Sequence, residues 1–147
     1  INFVGTQPWA WIAILIVTIW WTLGGNLIIY VAALNGVPRE QMEAAELDGA
    51  SSVVKFFRIS LPSIRNQLIF TTVMTTIAQF NIYGQPLMLT GGGPNNSTRV
   101  LMMYIQENAF GSSTSVAGMS SAMAILLGIV IMIVSVFQFI MIKKLER

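Results

Sequence analysis

Three apolar stretches divide the 147-residue chain, and its charged residues gather between and after them. The first runs from about Trp9 to Leu34 without a charged residue. As a helix it reaches about 39 Å, enough to cross a hydrocarbon core of about 30 Å with some tilt. Trp9 and Trp11 near its start and Tyr30 near its end stand where interfacial aromatics fall. Trp20 and Trp21 lie mid-stretch and are expected to pack or to line something. The second stretch, about Ile64 to Met88, is softer: Thr71, Thr72, Thr75, Thr76, Gln79 and Asn81 suit a pore-facing helix better than a lipid-facing one. The third, about Val116 to Ile142, places small residues every fourth position at Ser120, Ala124 and Gly128, a spacing that permits close helix contact in lipid.

The segment between the first two stretches, about 35–62, is the charge-dense one. Pro38 suits a first helical turn, and Glu40 and Glu43 favour the positive N-terminal end of a helix. Gly49 falls between two helix-competent pieces, where a chain reversal needs a permissive backbone, and Pro62 is expected to start the next span. The reading is two short helices lying across the membrane surface and projecting a knuckle. Physics alone leaves two uses open for it: docking in a groove on a partner, or anchoring the loop at the interface. The second intervening segment, about 89–115, contains Thr90-Gly91-Gly92-Gly93-Pro94-Asn95-Asn96-Ser97, a loop by its turn chemistry. A short helix is expected over Val100–Phe110 and a break over Gly111–Ser115. The glycine run lacks the Lys and Ser/Thr that follow in a phosphate-binding loop, so it reads as a turn.

Composition names the solvent. The chain is 54% hydrophobic and 10% charged, against about 25% charged in soluble domains. With a mean hydropathy of +0.70 it has too little polar surface to cover a globule in water. Seven of the eight Lys/Arg residues lie in Arg39–Arg65 and Lys143–Arg147, and Arg99 is the eighth. That bias places the knuckle and the tail 143–147 in the cytoplasm, and the glycine-rich loop and the start of the segment outside. It is a topology signal rather than a basic groove, so nucleic acid is not an expected partner despite a pI near 9.3. Cysteine and histidine are both absent, which excludes disulfides, thiolate chemistry and the commonest zinc ligands; no metal site is expected. An intramembrane enzyme fares badly, because no pair of carboxylates lies within the apolar stretches. A purely structural anchor is disfavoured by the polar second stretch. The chain begins at Ile1 without a methionine, signal peptide or polar leader, and is expected to be the C-terminal part of a longer protein. The expected fold is an all-α membrane protein: three transmembrane helices (about 9–34, 64–88 and 116–142) of a larger multi-span core, with a cytoplasmic helix pair between the first two.

The knuckle carries a motif. Glu43-Ala44-Ala45, then Gly49, then Ile59, Leu61 and Pro62 resemble the EAA loop of bacterial ABC-importer permeases, with every signature position filled over about twenty residues. Leu89-Thr90-Gly91-Gly92-Gly93-Pro94, and the run from Ala32-Ala33-Leu34 to Pro38, resemble carbohydrate permeases of the maltose type. The resemblance implies a multi-pass subunit of the bacterial inner membrane. In that family the loop is a coupling helix seated in a cleft of a cytoplasmic ABC ATPase dimer. Glu43, Ala44, Ala45, Asp48 and Gly49 would form the docking surface. It further implies a second, related permease subunit and an extracytoplasmic solute-binding protein. ATP and magnesium would be bound by the ATPase, with no cofactor and no catalysis in this chain.

The absence of charged side chains from the interior of the three stretches favours a neutral polar solute. Sugars are recognised by hydroxyls, amides and flat aromatic faces. Thr18 and Thr22 form an i, i+4 pair with Trp21 adjacent, and Thr75 and Gln79 form another pair on the next stretch. By the maltose-type resemblance these five positions fall where such a permease contacts its sugar. The competing reading has the threonines satisfying their own helix carbonyls and Trp21 packing. Alternative solutes are a polyol, a phosphorylated glycerol or an amino acid.

Overall fold

The computed structural model describes residues 4–111 and 116–145, and the regular structure among them is helical throughout. Helix α1 spans Trp9–Asn35, α2 Arg39–Leu47, α3 Ser52–Lys55, α4 Leu61–Ser63, α5 Arg65–Phe80, α6 Gly84–Thr90, α7 Leu101–Phe110 and α8 Ala117–Leu145. Most of the expected break over Gly111–Ser115, the tail residues Glu146 and Arg147, and Ile1 lie outside the described residues.

Helix α1 begins after Pro8 and meets no proline or charge until it ends. There the Gly36 and Val37 amides donate to Ala33 O and Leu34 O at 3.1 and 3.2 Å. Pro38, in an extended conformation with ψ of 125° and without an amide proton, then stops the helix. Two helices, α1 and α8 up to Ile142, are long and apolar enough to cross a membrane. Buried apolar side chains among the described residues are few, namely Ala10, Ile14, Ile64, Met103 and Leu127. Trp20 is 81% exposed and the outward faces of α1 and α8 are apolar, a surface that lipid covers and water does not.

The middle stretch departs from the single helix expected over 64–88. α5 is 16 residues long, about 24 Å as a helix, and stops at Phe80. The Asn81 amide group donates back to Ile77 O at 2.9 Å, and the backbone amides of Asn81 and Ile82 close tight turns onto Ala78 O and Gln79 O. The chain then restarts as α6, which packs against α1. The start of this stretch also differs, because Pro62 lies inside a helical run rather than at its beginning. A wide π turn over Phe56–Ser60 precedes it, with the Leu61 amide bonded to Phe56 O. Widening the helix there relieves the clash a proline ring makes with the carbonyl four residues back.

Helix α8 packs on α5 and α7. Of the small-residue row expected to make that contact, Ser120 is buried, whereas Ala124 and Gly128 are exposed. A row of fourth residues turns about 40° around the helix at each step, so it leaves a partner that runs alongside. The covered side instead steps three residues on from Ser120 to Met123, then runs through Leu127, Ile131 and Ser135 and steps three again to Gln138, which keeps it near the helical repeat of about 3.6. Gln138 Nε2 donates to Thr76 Oγ1 on α5 at 3.1 Å.

The loop between α6 and α7 is folded upon itself. The buried Thr98 hydroxyl lies 2.6 Å from Thr90 Oγ1 and 2.7 Å from Gly93 O, and Arg99 pairs with Glu107 while covering the Tyr104 ring. Gln7 Nε2 and Trp11 Nε1 donate to Oγ and O of Ser97, which ties this loop to the start of α1.

Candidate functional site

The knuckle is built by two capping motifs back to back. At the end of α2 the Ala50 amide donates to Ala45 O at 2.9 Å and the Gly49 amide to Glu46 O at 3.0 Å. This is the paired closure of a Schellman turn, whose pivot needs a left-handed backbone. Gly49 supplies it with φ of +74°. Ser51, extended, then caps α3 by accepting the Val54 amide on its hydroxyl at 3.4 Å. Lys55 on α3 pairs with Glu46 on α2, and the Ser60 hydroxyl rests 4.0 Å from Met42 Sδ, so the two arms are clamped together. Of the five residues expected on a docking surface, Glu43, Ala44, Asp48 and Gly49 are exposed and Ala45 is half-buried. Leu47 stands beside them 91% exposed. Sequence reasoning passed over it, although a lone leucine beside Asp48-Gly49 in a charged segment was the available signal.

The second feature joins α1 to α5. On α1, Thr22, Asn26 and Tyr30 are spaced by four, and on α5 so are Thr71, Thr75 and Gln79. The two rows meet in antiparallel register. Tyr30 Oη lies 2.6 Å from Thr71 Oγ1, Asn26 Nδ2 donates to Thr75 Oγ1 at 3.2 Å, and Gln79 Nε2 donates to Thr22 Oγ1 at 3.4 Å. Thr71 Oγ1 also sits 2.8 Å from Gln67 O. Its single proton serves that carbonyl, which makes Tyr30 the donor in the first rung. Rows of fourth residues meeting in this way belong to helices that cross rather than run parallel. The rungs thus run along the contact from the knuckle end, Tyr30 with Thr71 first and Thr22 with Gln79 last.

A groove of about 540 Å³ lies along this contact. Thr18, Thr22, Asn26, Tyr30, Thr75 and Gln79 give its polar wall, and Leu15, Ile19, Leu23 and Leu27 the apolar one. No charged side chain lines it among the described residues. Four of the five residues singled out from the sequence are brought together here. Trp21 is not: it is 77% exposed and outside the lining, because one residue along a helix turns the side chain by about 100° from Thr22. Asn26 and Tyr30 were missed as lining residues, although they continue the spacing of Thr18 and Thr22.

The threonines divide into two groups. Thr71, Thr72 and Thr76 donate to the carbonyl four residues back, as membrane threonines commonly do. Thr71 and Thr76 in addition meet Tyr30 and Gln138 on facing helices. Thr22 and Thr75 receive a bond from the facing helix and make none to their own, and the buried Thr18 hydroxyl has no partner at all among the described residues. The rungs themselves hold little stability, since interhelical hydrogen bonds in membranes average about 0.6 kcal/mol. Tyr30→Phe is therefore expected to cost the full-length protein no more than about 1 kcal/mol, because Thr71 keeps its own-helix carbonyl. Chemical denaturation in detergent checks this, and a loss of several kcal/mol would contradict it.

Two helices long and apolar enough to cross a membrane, an uncharged groove and a protruding helix pair fit a segment of an integral membrane protein. All 147 residues match the family described as binding-protein-dependent transport system inner membrane component, and the chain belongs to that family. It is similar to the multiple sugar-binding transport system permease protein MsmF of Streptococcus mutans, 36% identical over 99% of this chain and 49% of that one. It is also similar to the probable ABC transporter permease protein YurN of Bacillus subtilis, at 30% identity over 92% of this chain and 46% of that one. The sulfoquinovosyl glycerol transport system permease protein SmoG of Agrobacterium fabrum is 36% identical over 81% of this chain and 38% of its own length. The chain thus spans half or less of each of these three relatives.

Proposed function

We propose that this chain forms part of the membrane-spanning subunit of an ATP-driven importer of a neutral, hydroxyl-rich solute, a sugar by first preference. The observation that carries this is the uncharged groove between α1 and α5, a largely apolar surface set with a few hydroxyls and amides, beside an exposed, clamped knuckle. Its volume lies in the range of small-molecule sites. A wall of hydroxyls and amides without a counter-charge suits a sugar or polyol better than a phosphorylated glycerol or an amino acid. The names of relatives such as MsmF favour the sugar.

In this reading the knuckle lies on the cytoplasmic side of a bacterial inner membrane. Glu43, Ala44, Ala45, Asp48 and Gly49 dock it on a separate ABC ATPase dimer, which binds the ATP and magnesium. A second, related permease subunit completes the pathway, and an extracytoplasmic solute-binding protein delivers the solute at the end where the Thr98 loop folds. Closure of the ATPases moves the knuckle, and α5 carries that movement to the groove in an alternating-access cycle. The test is to tag the full-length parent and express it with its operon partners. A cytoplasmic ATPase should co-purify, and the reconstituted complex should take up radiolabelled sugar only with ATP. Gln79→Leu should assemble normally yet lose most solute stimulation of the ATPase. No retained ATPase, or uptake indifferent to ATP, would defeat the proposal.

A further inference from the structure

We propose that Asn26 is a positioning residue that fixes the hydrogen-bond polarity of the groove, holding the Thr75 hydroxyl as a donor toward the solute. The inference rests on the transport reading above and adds a residue and a ligand chemistry to it. A threonine in a helix has one hydroxyl proton, and its default use is the carbonyl one turn back. Thr71, Thr72 and Thr76 follow that default on α5, at 2.8, 2.6 and 2.8 Å. Thr75 lies on the same helix with the same opportunity, yet its hydroxyl oxygen receives the Asn26 amide at 3.2 Å. Among the described threonines of α5, Thr75 alone makes no bond to its own helix; held by the Asn26 amide, its hydroxyl is turned off the backbone and its proton is left for the groove it lines.

Gln79 treats Thr22 in the same way at 3.4 Å. Thr18, buried to more than nine-tenths on the same wall, carries a hydroxyl with no partner. Such an orphan is costly in a low-dielectric site unless a ligand meets it. The wall therefore presents hydroxyl protons. The ligand that answers them offers oxygen acceptors at close spacing, as the ring, glycosidic and hydroxyl oxygens of a saccharide do. An ammonium group, which only donates, would meet Thr22 and Thr75 with one lone pair each already taken.

The test uses the full-length permease assembled with its partner subunits in proteoliposomes, with maltose, lactose, raffinose and sorbitol as probes. Solute-stimulated ATPase activity gives half-saturation and maximal rate, and binding is measured separately on the same complex. Asn26→Leu frees Thr75 to turn back on its own helix, and should raise half-saturation about tenfold while leaving the maximal rate unchanged. Thr75→Val should do the same, Thr75→Ser should match the parent, and the double variant should be no worse than either single one, because both remove one donor. Additive losses, an unchanged half-saturation in Asn26→Leu, or a fall in maximal rate alone would overturn the assignment. Binding by the parent without ATP-driven uptake would defeat the transport reading, and the same cycle read by binding would still judge Asn26. Failure of the parent to bind any of the four probes overturns both.

Discussion

A full-length parent carrying Gly49→Asp is expected to remain in the membrane while losing its ATPase and its ATP-driven uptake together. The fold has little reason to fail. A Cβ added at Gly49 meets nothing within 4 Å, and the left-handed backbone at φ of +74° costs a side chain about 1–2 kcal/mol, least for Asn and Asp. The damage falls on the outside of the turn. There the new carboxylate joins Glu43, Glu46 and Asp48 at the tip of the knuckle, the surface proposed above to seat in a partner's cleft. An uncompensated charge buried at an interface costs about 3–5 kcal/mol, more than a hundredfold in affinity. Gly49→Asn separates the contributions, since it has the same shape and backbone tolerance without the charge. It should retain clearly more ATPase than the aspartate variant. Equal co-purification of the ATPase by the Gly49→Asp protein and the parent would remove the knuckle from the docking role.

The knuckle was legible in the sequence because its determinants are local. Pro38, Gly49 and Ser51 each dictate a backbone state within one turn of themselves, and the Schellman closure onto Ala45 and Glu46 involves only neighbours in the chain. The α1–α5 ladder was half legible. The spacing of Thr18 with Thr22 and of Thr75 with Gln79 marked two polar rows, but the register between helices is a tertiary fact. Without it Tyr30 reads as an interfacial aromatic and Asn26 as an isolated amide. With it both fall into line with Thr71 and Thr75. Trp21 is the opposite case: it adjoins Thr22 in sequence but lies outside the lining of this groove.

Two further features escaped for a single reason. The break after Phe80 and the exposure of Ala124 and Gly128 both depend on which neighbour a helix meets along its length. Helix α1 illustrates it: its row of fourth residues winds about 40° per step. The row is buried at Ala10, Ile14 and Thr18 toward the α6 end and bonds to α5 from Thr22 to Tyr30. One row thus serves two neighbours, and the place where it passes from one to the other is the groove. Hydropathy registers how apolar a stretch is and is blind to that hand-over.

Reversing the charge at Lys55 should uncouple the knuckle almost as thoroughly, and a second reversal should restore it. Lys55 is mostly covered, with 13% of its side chain exposed, and its ammonium group meets Glu46 on the other arm of the turn. An exposed ion pair adds little stability, typically under 1 kcal/mol. Lys55→Glu does more than delete it, because it faces two carboxylates across the joint that keeps α2 aligned with α3. The arms should splay, leaving only the Ser60 contact to Met42 between them. An ATPase gripping α2 would then no longer move α5, since the π turn at Phe56–Ser60 lies directly after the broken clamp. ATP hydrolysis should continue while uptake per ATP falls at least tenfold, and added salt should soften the defect as the like charges are screened. Glu46→Lys combined with Lys55→Glu rebuilds the pair in reverse and should recover most of the coupling. If the double variant is as poor as Lys55→Glu alone, the lysine acts through something other than Glu46. If Lys55→Glu couples as well as the parent, the two arms need no clamp and the knuckle transmits force through its turn alone.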